Sequence, residues 1–378
     1  MFKDEDALRV HERMEAHLAC PNVSLSDYRQ TKRLSLSAEV LPLTRIYLDT
    51  KYWLKFRDVS LGRDNCPVLK ELLGKIRNGC GQRKLICPVS YAALIELFRQ
   101  EDRDTRNATA ELMDELSGGV CLLVPHHLLG VELDCLLRAT IFDDRKWYTP
   151  KELVWTKVGY WVGECTLTES FLPQDVSTAI QKAMDDVICE LKVVDLANNR
   201  PPSCNSTRTE YEYVADLLTK MKKEMPHAPN NFKSVFLTEL DGLLDVNHEV
   251  LEEVMAGVCH EMGHEGEISR EDKTEGGAFV KKLIWNAYRL KKLSNHLPQL
   301  HIGASLHAIV RMDAKRKYNA NDFEDFRHAG SALPYCDIFL TEKYLRHLLC
   351  SNPLNMDSLY KTSIAVNAAE ALNIIGDI

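Results

Sequence analysis

The sequence predicts an α/β fold, a parallel sheet flanked by helices and interrupted by a large all-helical insertion. Three observations lead there. Short apolar runs alternate with helical periods up to about residue 130, strand patterning nearly vanishes from about 130 to 300, and it returns in the last part of the chain. Alternation of this kind favours a parallel sheet. A sheet begun before the helical stretch and finished after it implies an insertion inside one domain. The resulting map has an N-terminal extension (1–43), a first sheet segment (44–130), a helical insertion (131–300) and a second sheet segment (301–378).

The elements follow in order. Residues 1–43 are polar, with one weak helical pattern between Leu8 and Leu18. RIYLDT (45–50) reads as a buried strand ending in an acid, and KYWLKFRDV as the helix after it. VLKELLGKIRNG has helical spacing, with Gly79 as its stop. KLICPVS (84–90) is a second strand leading into the helix YAALIELFRQ, and VCLLVP (120–125) a third. Within the insertion, Leu251, Val254, Met255 and Val258 mark one helix face. NNRPPSCNST (198–207) is the clearest internal loop. NANDFEDFRHAGSAL reads as a helix capped by Asn321 or Asp322 and ended by Pro334. CDIFLTEK (336–343) and KTSIAV (361–366) read as strands, and NAAEALNII as a closing helix.

Composition narrows the function. The 378 residues carry 47 Lys+Arg against 55 Asp+Glu, a formal charge of −8, with 45% hydrophobic and 27% charged residues. These are the proportions of a globular protein. The acidic balance argues against coating nucleic acid by charge alone, but leaves room for an acidic metal centre beside a local basic groove. No apolar run reaches the roughly 20 residues that span a bilayer, and the charged N-terminus does not read as a signal peptide. A cytoplasmic protein without membrane contact is the expectation. The twelve cysteines are scattered, with no CxxC pair, and are expected to be mostly buried free thiols.

Acids stand at the predicted strand ends, where α/β sheets gather function. Asp49 ends the first strand, Glu96 lies in the helix after the second, Asp325 in a late helix, and Asp337 and Glu342 at either end of the next strand. Carboxylates brought together repel unless a cation lies between them. Hard oxygen donors select Mg²⁺ or Mn²⁺ over zinc. Two such ions can activate a water and stabilise the leaving oxygen of a phosphodiester. Each acid taken alone reads better as a solvated loop or cap residue.

The combination resembles a known family. IYLDTKYW, PVSYAALIELF and NDFEDFRHAGSALPYCDIFLTE look like segments of the long bacterial PIN-like domain proteins. The match covers about half the chain, 44–130 and 300–378, and only the DFRHAGSALPYCDIFLTE segment is specific. PIN domains are metal-dependent nucleases, mostly ribonucleases, built on a parallel sheet with three or four clustered acids. The resemblance implies Asp49 as the first-strand acid and Glu96 as the helix acid. Asp325 opens the D-x-x-[IH]-A-x-x-A helix, matched by His328, Ala329 and Ala332. The next strand's acid-x-x-x-Thr pattern is matched by Asp337 and Thr341. Toxin-type members carry Thr-x-Asp there, whereas this chain has Thr341-Glu342-Lys343. Asp337 or Glu342 can supply the fourth carboxylate, with Asp337 preferred. Asp322 and Thr50 are supporting residues, Thr50 and Thr341 as hydrogen-bond donors to carboxylates or phosphate. His328 touches the phosphate, holds Asp325 in place, or is an ordinary core histidine.

A rival motif is His260-Glu261-Met262-Gly263-His264, the HExxH pattern of zinc peptidases. Two histidines four apart on a helix can bind zinc while the glutamate activates water. Its extended form needs Gly and His where Glu267 and Arg270 stand, and no Glu occurs between Glu275 and Glu324. His296, His301 or Asp313 would have to substitute. His260 also falls opposite the apolar stripe, on the polar face.

Two basic segments suit nucleic acid. KKLIWNAYRLKK (281–292) interleaves cations with Trp285 and Tyr288, and RMDAKRKY (311–318) brings Lys315, Arg316 and Lys317 just before the acidic helix. Cations hold phosphates and aromatics stack on unpaired bases. The first segment reads equally as a solvated face over a buried aromatic stripe. The expectation is thus a nuclease using Mg²⁺ or Mn²⁺, with RNA favoured over DNA and a homo-oligomer or protein partner open. The alternatives are a zinc metallopeptidase at His260, Glu261 and His264, and a catalytically silent PIN-like scaffold.

Overall fold

Ile46, Tyr47 and Leu48 are an unbroken apolar run, and the computed structural model buries all three in strand β1 (Thr44–Leu48). The structure describes residues 4–142, 147–162, 172–199, 206–224, 231–264 and 266–376. They are mostly helical, and fall into two compact units. The first comprises residues 1–123, 151–204 and 368–378, the second 124–150 and 205–367. These cuts differ from the sequence map, since residues 205–300 and 301–367 share one unit.

In the first unit β1 pairs in parallel with β2 (Leu85–Ile86), Thr44 opposite Leu85 and Arg45 opposite Ile86. The predicted third strand is present as β3 (Val120–Leu122), but its ladder is antiparallel, with β4 (Trp155–Lys157). Its parallel contact is a single bridge between Val89 and Cys121. The helix Pro67–Gly81 runs through the expected stop at Gly79. That glycine is an approach point: a Cβ there would lie 2.4 Å from Leu85 Cδ2. The polar N-terminal residues form two helices, Asp4–Leu18 and Leu25–Val40. The first packs on the helix Gln174–Ile188, where His17 meets Asp186 at 2.9 Å, and Arg29 of the second meets Asp185 at 2.6 Å.

The second unit is built on helix packing. Leu129, Leu133 and Leu137 of the helix Pro125–Ile141 meet Phe236 and Leu240 of Phe232–Val246, Leu251 and Val258 of His248–Glu261, and Val280 and Ile284 of Arg270–Arg289. Ala304 and Ala308 of Pro298–Met312 complete that core. The stripe predicted from Leu251 to Val258 therefore faces inward. Beside it β5 (Ile338–Leu340) pairs in parallel with β6 (Ser363–Ala365), Ile338 opposite Ser363 and Leu340 opposite Ala365. Between 131 and 300 the described residues hold one strand, β4, so the loss of strand patterning in the sequence corresponds to helix. Of the loop expected at 198–207, residues 200–205 lie outside the described residues, and Ser206 already belongs to the helix Ser206–Glu224. No described helix is long and apolar enough to cross a membrane.

Candidate functional site

In the first unit, Asp49 follows β1 directly and is the N-cap of the helix Thr50–Ser60. Its carboxylate accepts from the Lys51 N–H at 3.2 Å, satisfying a donor that the helix start leaves without an intrahelical partner. The residue is 7% exposed. Thr50 Oγ1 donates to the Glu96 carboxylate, which lies in the second turn of the helix Tyr91–Phe98. That helix is seated by Ser90, which caps it by accepting from the Ala93 N–H at 3.2 Å. Ser90 also receives the Tyr47 hydroxyl at 2.6 Å. Tyr47 is on β1, so one strand positions Asp49, Thr50 and, through Ser90, the helix bearing Glu96. Ser90 was not singled out in the sequence, although a serine directly before an apolar helical run is a cap signal.

In the second unit, the helix Ala320–Ala332 is capped by Asn319, not by Asn321 or Asp322. Asp322 is instead the third residue of a capping box: it accepts from the Asn319 N–H at 2.9 Å, while Asn319 accepts from the Asp322 N–H at 3.2 Å. The earlier start places Asp325 in the second turn rather than the first. His328 lies one turn further along and is 1% exposed. Asp337 precedes β5 and is half-buried, its carbonyl accepting from the Ser363 N–H at 2.9 Å. Thr341 is buried just past the other end, its N–H donating to Ala365 at 2.9 Å. Glu342 then caps the helix Lys343–Cys350 from an exposed position. Five residues of extended chain separate Asp337 from Glu342, about 16 Å. The two candidate fourth acids therefore stand at opposite ends of β5, and Glu342 occupies the carboxyl end.

Glu132 escaped the sequence reading. It is fully buried on the helix Pro125–Ile141, and accepts from the Tyr335 hydroxyl at 2.5 Å and from the Gln299 N–H at 3.1 Å. Burial pushes its carboxyl pKa well up, against the opposing effect of both hydrogen bonds. Gln299 also donates to the Gly330 carbonyl at 2.6 Å. Glu132 thereby ties together the last turn of the Asp325 helix and the turn leading into β5.

The HExxH residues lack the geometry that made them a rival. The helix His248–Glu261 ends inside the motif, with Met262 as its C-cap and Gly263 at φ +95. The histidines do not share a helix face. His260 Nδ1 donates to the His264 carbonyl at 3.0 Å, and Glu261 pairs with Arg138. Of the basic segments, 281–292 is partly structural: Lys281 binds Asp241 and Asp245 at 2.8 and 2.9 Å and Tyr288 stacks on Phe236, while Lys282, Arg289, Lys291 and Lys292 are exposed. In the other, Lys315 and Lys317 are exposed, while Arg316 pairs with buried Asp322.

Asp49, Thr50 and Glu96 are thus assembled within one unit, and Asp325, His328, Asp337, Thr341 and Glu342 belong to the other. Among the described residues, no three His, Cys, Asp or Glu side chains gather in a group that could hold a metal ion. Comparison of the chain with family models, curated proteins and solved structures finds no match.

Proposed function

We propose that this chain is a divalent-metal-dependent nuclease, with RNA the favoured substrate. The observation that supports the reading is the bond from Thr50, which follows the acid that ends β1, to the Glu96 carboxylate. In this reading Asp49 and Glu96 of the first unit hold the ion. Both are hard oxygen donors, suited to Mg²⁺ or Mn²⁺. Such an ion, when bound, supplies Lewis acidity toward water and phosphate. The chain's own groups hold the ion, with Thr50 fixing the orientation of Glu96. The preference for RNA rests on the PIN-like resemblance.

The test is cleavage of a labelled single-stranded RNA by the full chain. Products are expected with Mn²⁺ or Mg²⁺ and none with EDTA. Absence of cleavage at any divalent ion concentration would favour a non-catalytic scaffold.

A further inference from the structure

Tyr344 is the second residue of the helix that Glu342 caps, and is 43% exposed. Arg316 lies over its ring, the guanidinium carbon 4.6 Å from the ring centroid. Arg316 is itself held in place. It pairs with Asp322, whose side chain is 2% exposed and locked in the capping box. The chain before it is fixed by Lys222, whose ammonium donates to the carbonyls of Val310, Asp313 and Arg316 at 2.7, 2.5 and 2.8 Å. The ring is therefore backed by a rigid cation.

We infer that Tyr344, backed by Arg316, is a stacking platform for one unpaired nucleobase. This makes the substrate a single strand, and it rests on the nuclease reading above. A guanidinium on one face leaves a flat, pre-ordered aromatic surface, and a nucleobase is a flat ring system that gains from such stacking. A duplex keeps its bases stacked inside and cannot offer one. Lys315 and Lys317, exposed on either side of Arg316 in the chain, provide charge for the adjoining phosphates. Arg316 thus acts through Tyr344 and Asp322 rather than as the direct phosphate contact its place in the basic segment suggests.

The experiment titrates the full chain, in EDTA, with a single-stranded RNA carrying 2-aminopurine, and measures Mn²⁺-dependent cleavage separately. The parent is expected to quench the fluorophore and to bind this strand at least about tenfold more tightly than the same sequence as a duplex. Tyr344→Phe should keep both properties. Tyr344→Ala should lose the quench, weaken binding by about tenfold and raise KM with little change in kcat. Unchanged quench and affinity in Tyr344→Ala, with Mn²⁺-dependent cleavage intact, would overturn the platform and leave the nuclease reading standing. Equal binding of strand and duplex would do the same. A parent that neither binds nor cuts RNA would remove the nuclease reading and the platform with it.

Discussion

Asp49→Asn lowers Mn²⁺-dependent RNA cleavage by about 100-fold or more while the protein stays folded. The substitution removes one negative oxygen donor and keeps the shape of the side chain. Asparagine is also as good an N-cap as aspartate, so the bond to the Lys51 N–H and the start of the helix Thr50–Ser60 survive. Loss of activity with an unchanged circular-dichroism spectrum and melting temperature isolates the ligand role from the capping role. Glu261→Gln is the matched control. Glu261 sits at the end of its helix, paired with Arg138, and its loss should leave cleavage intact. Full activity in the Asp49 variant, or peptide cleavage that depends on Glu261, would count against the assignment.

Removing the Glu132 carboxyl has the largest expected effect on stability. Glu132→Leu leaves the Tyr335 hydroxyl and the Gln299 N–H without their acceptor in a buried site, at about 1–3 kcal/mol each. Glu132→Gln keeps an acceptor for both and removes the titration. The folded pKa of Glu132 is raised, so the native state retains a proton that the unfolded chain gives up above about pH 4.3. Its contribution is complete below that value and is lost as pH rises toward the folded pKa. Urea unfolding should therefore show the Gln variant close to the parent at pH 4 and more stable than the parent at pH 8, with a flatter pH profile. A Gln variant less stable than the parent at pH 8 would mean that the carboxylate is charged in the fold.

The elements legible in the sequence were those set by local chemistry. RIYLDT announced both β1 and the acid that ends it, because three consecutive apolar residues need a buried strand and aspartate is a strong cap. The loss of strand patterning after residue 130 announced helices for the same local reason. Thr50 was expected to donate to a carboxylate, and does so to Glu96. What depended on distant partners was hidden. β3 reads as any apolar strand, and nothing in VCLLVP says that its ladder forms with Trp155–Lys157 in antiparallel sense. Gly79 looked like a helix stop, since the sequence cannot show that Leu85 lies against it. HExxH matched by spacing alone, while the turn at Gly263 breaks the helical register on which the motif depends. Glu132 did leave a signal: it stands four residues from both Leu128 and Leu136, on an apolar helix stripe, and an acid there must be buried with partners.

The central claim is that Asp49 and Glu96 hold a divalent ion. Its most direct measurement is anomalous diffraction from crystals of the full chain soaked in Mn²⁺. The account predicts a manganese peak with carboxylate oxygens of Asp49 and Glu96 in contact or bridged by one water. No manganese at Asp49 and Glu96, or manganese bound only at His260 and His264, would contradict it.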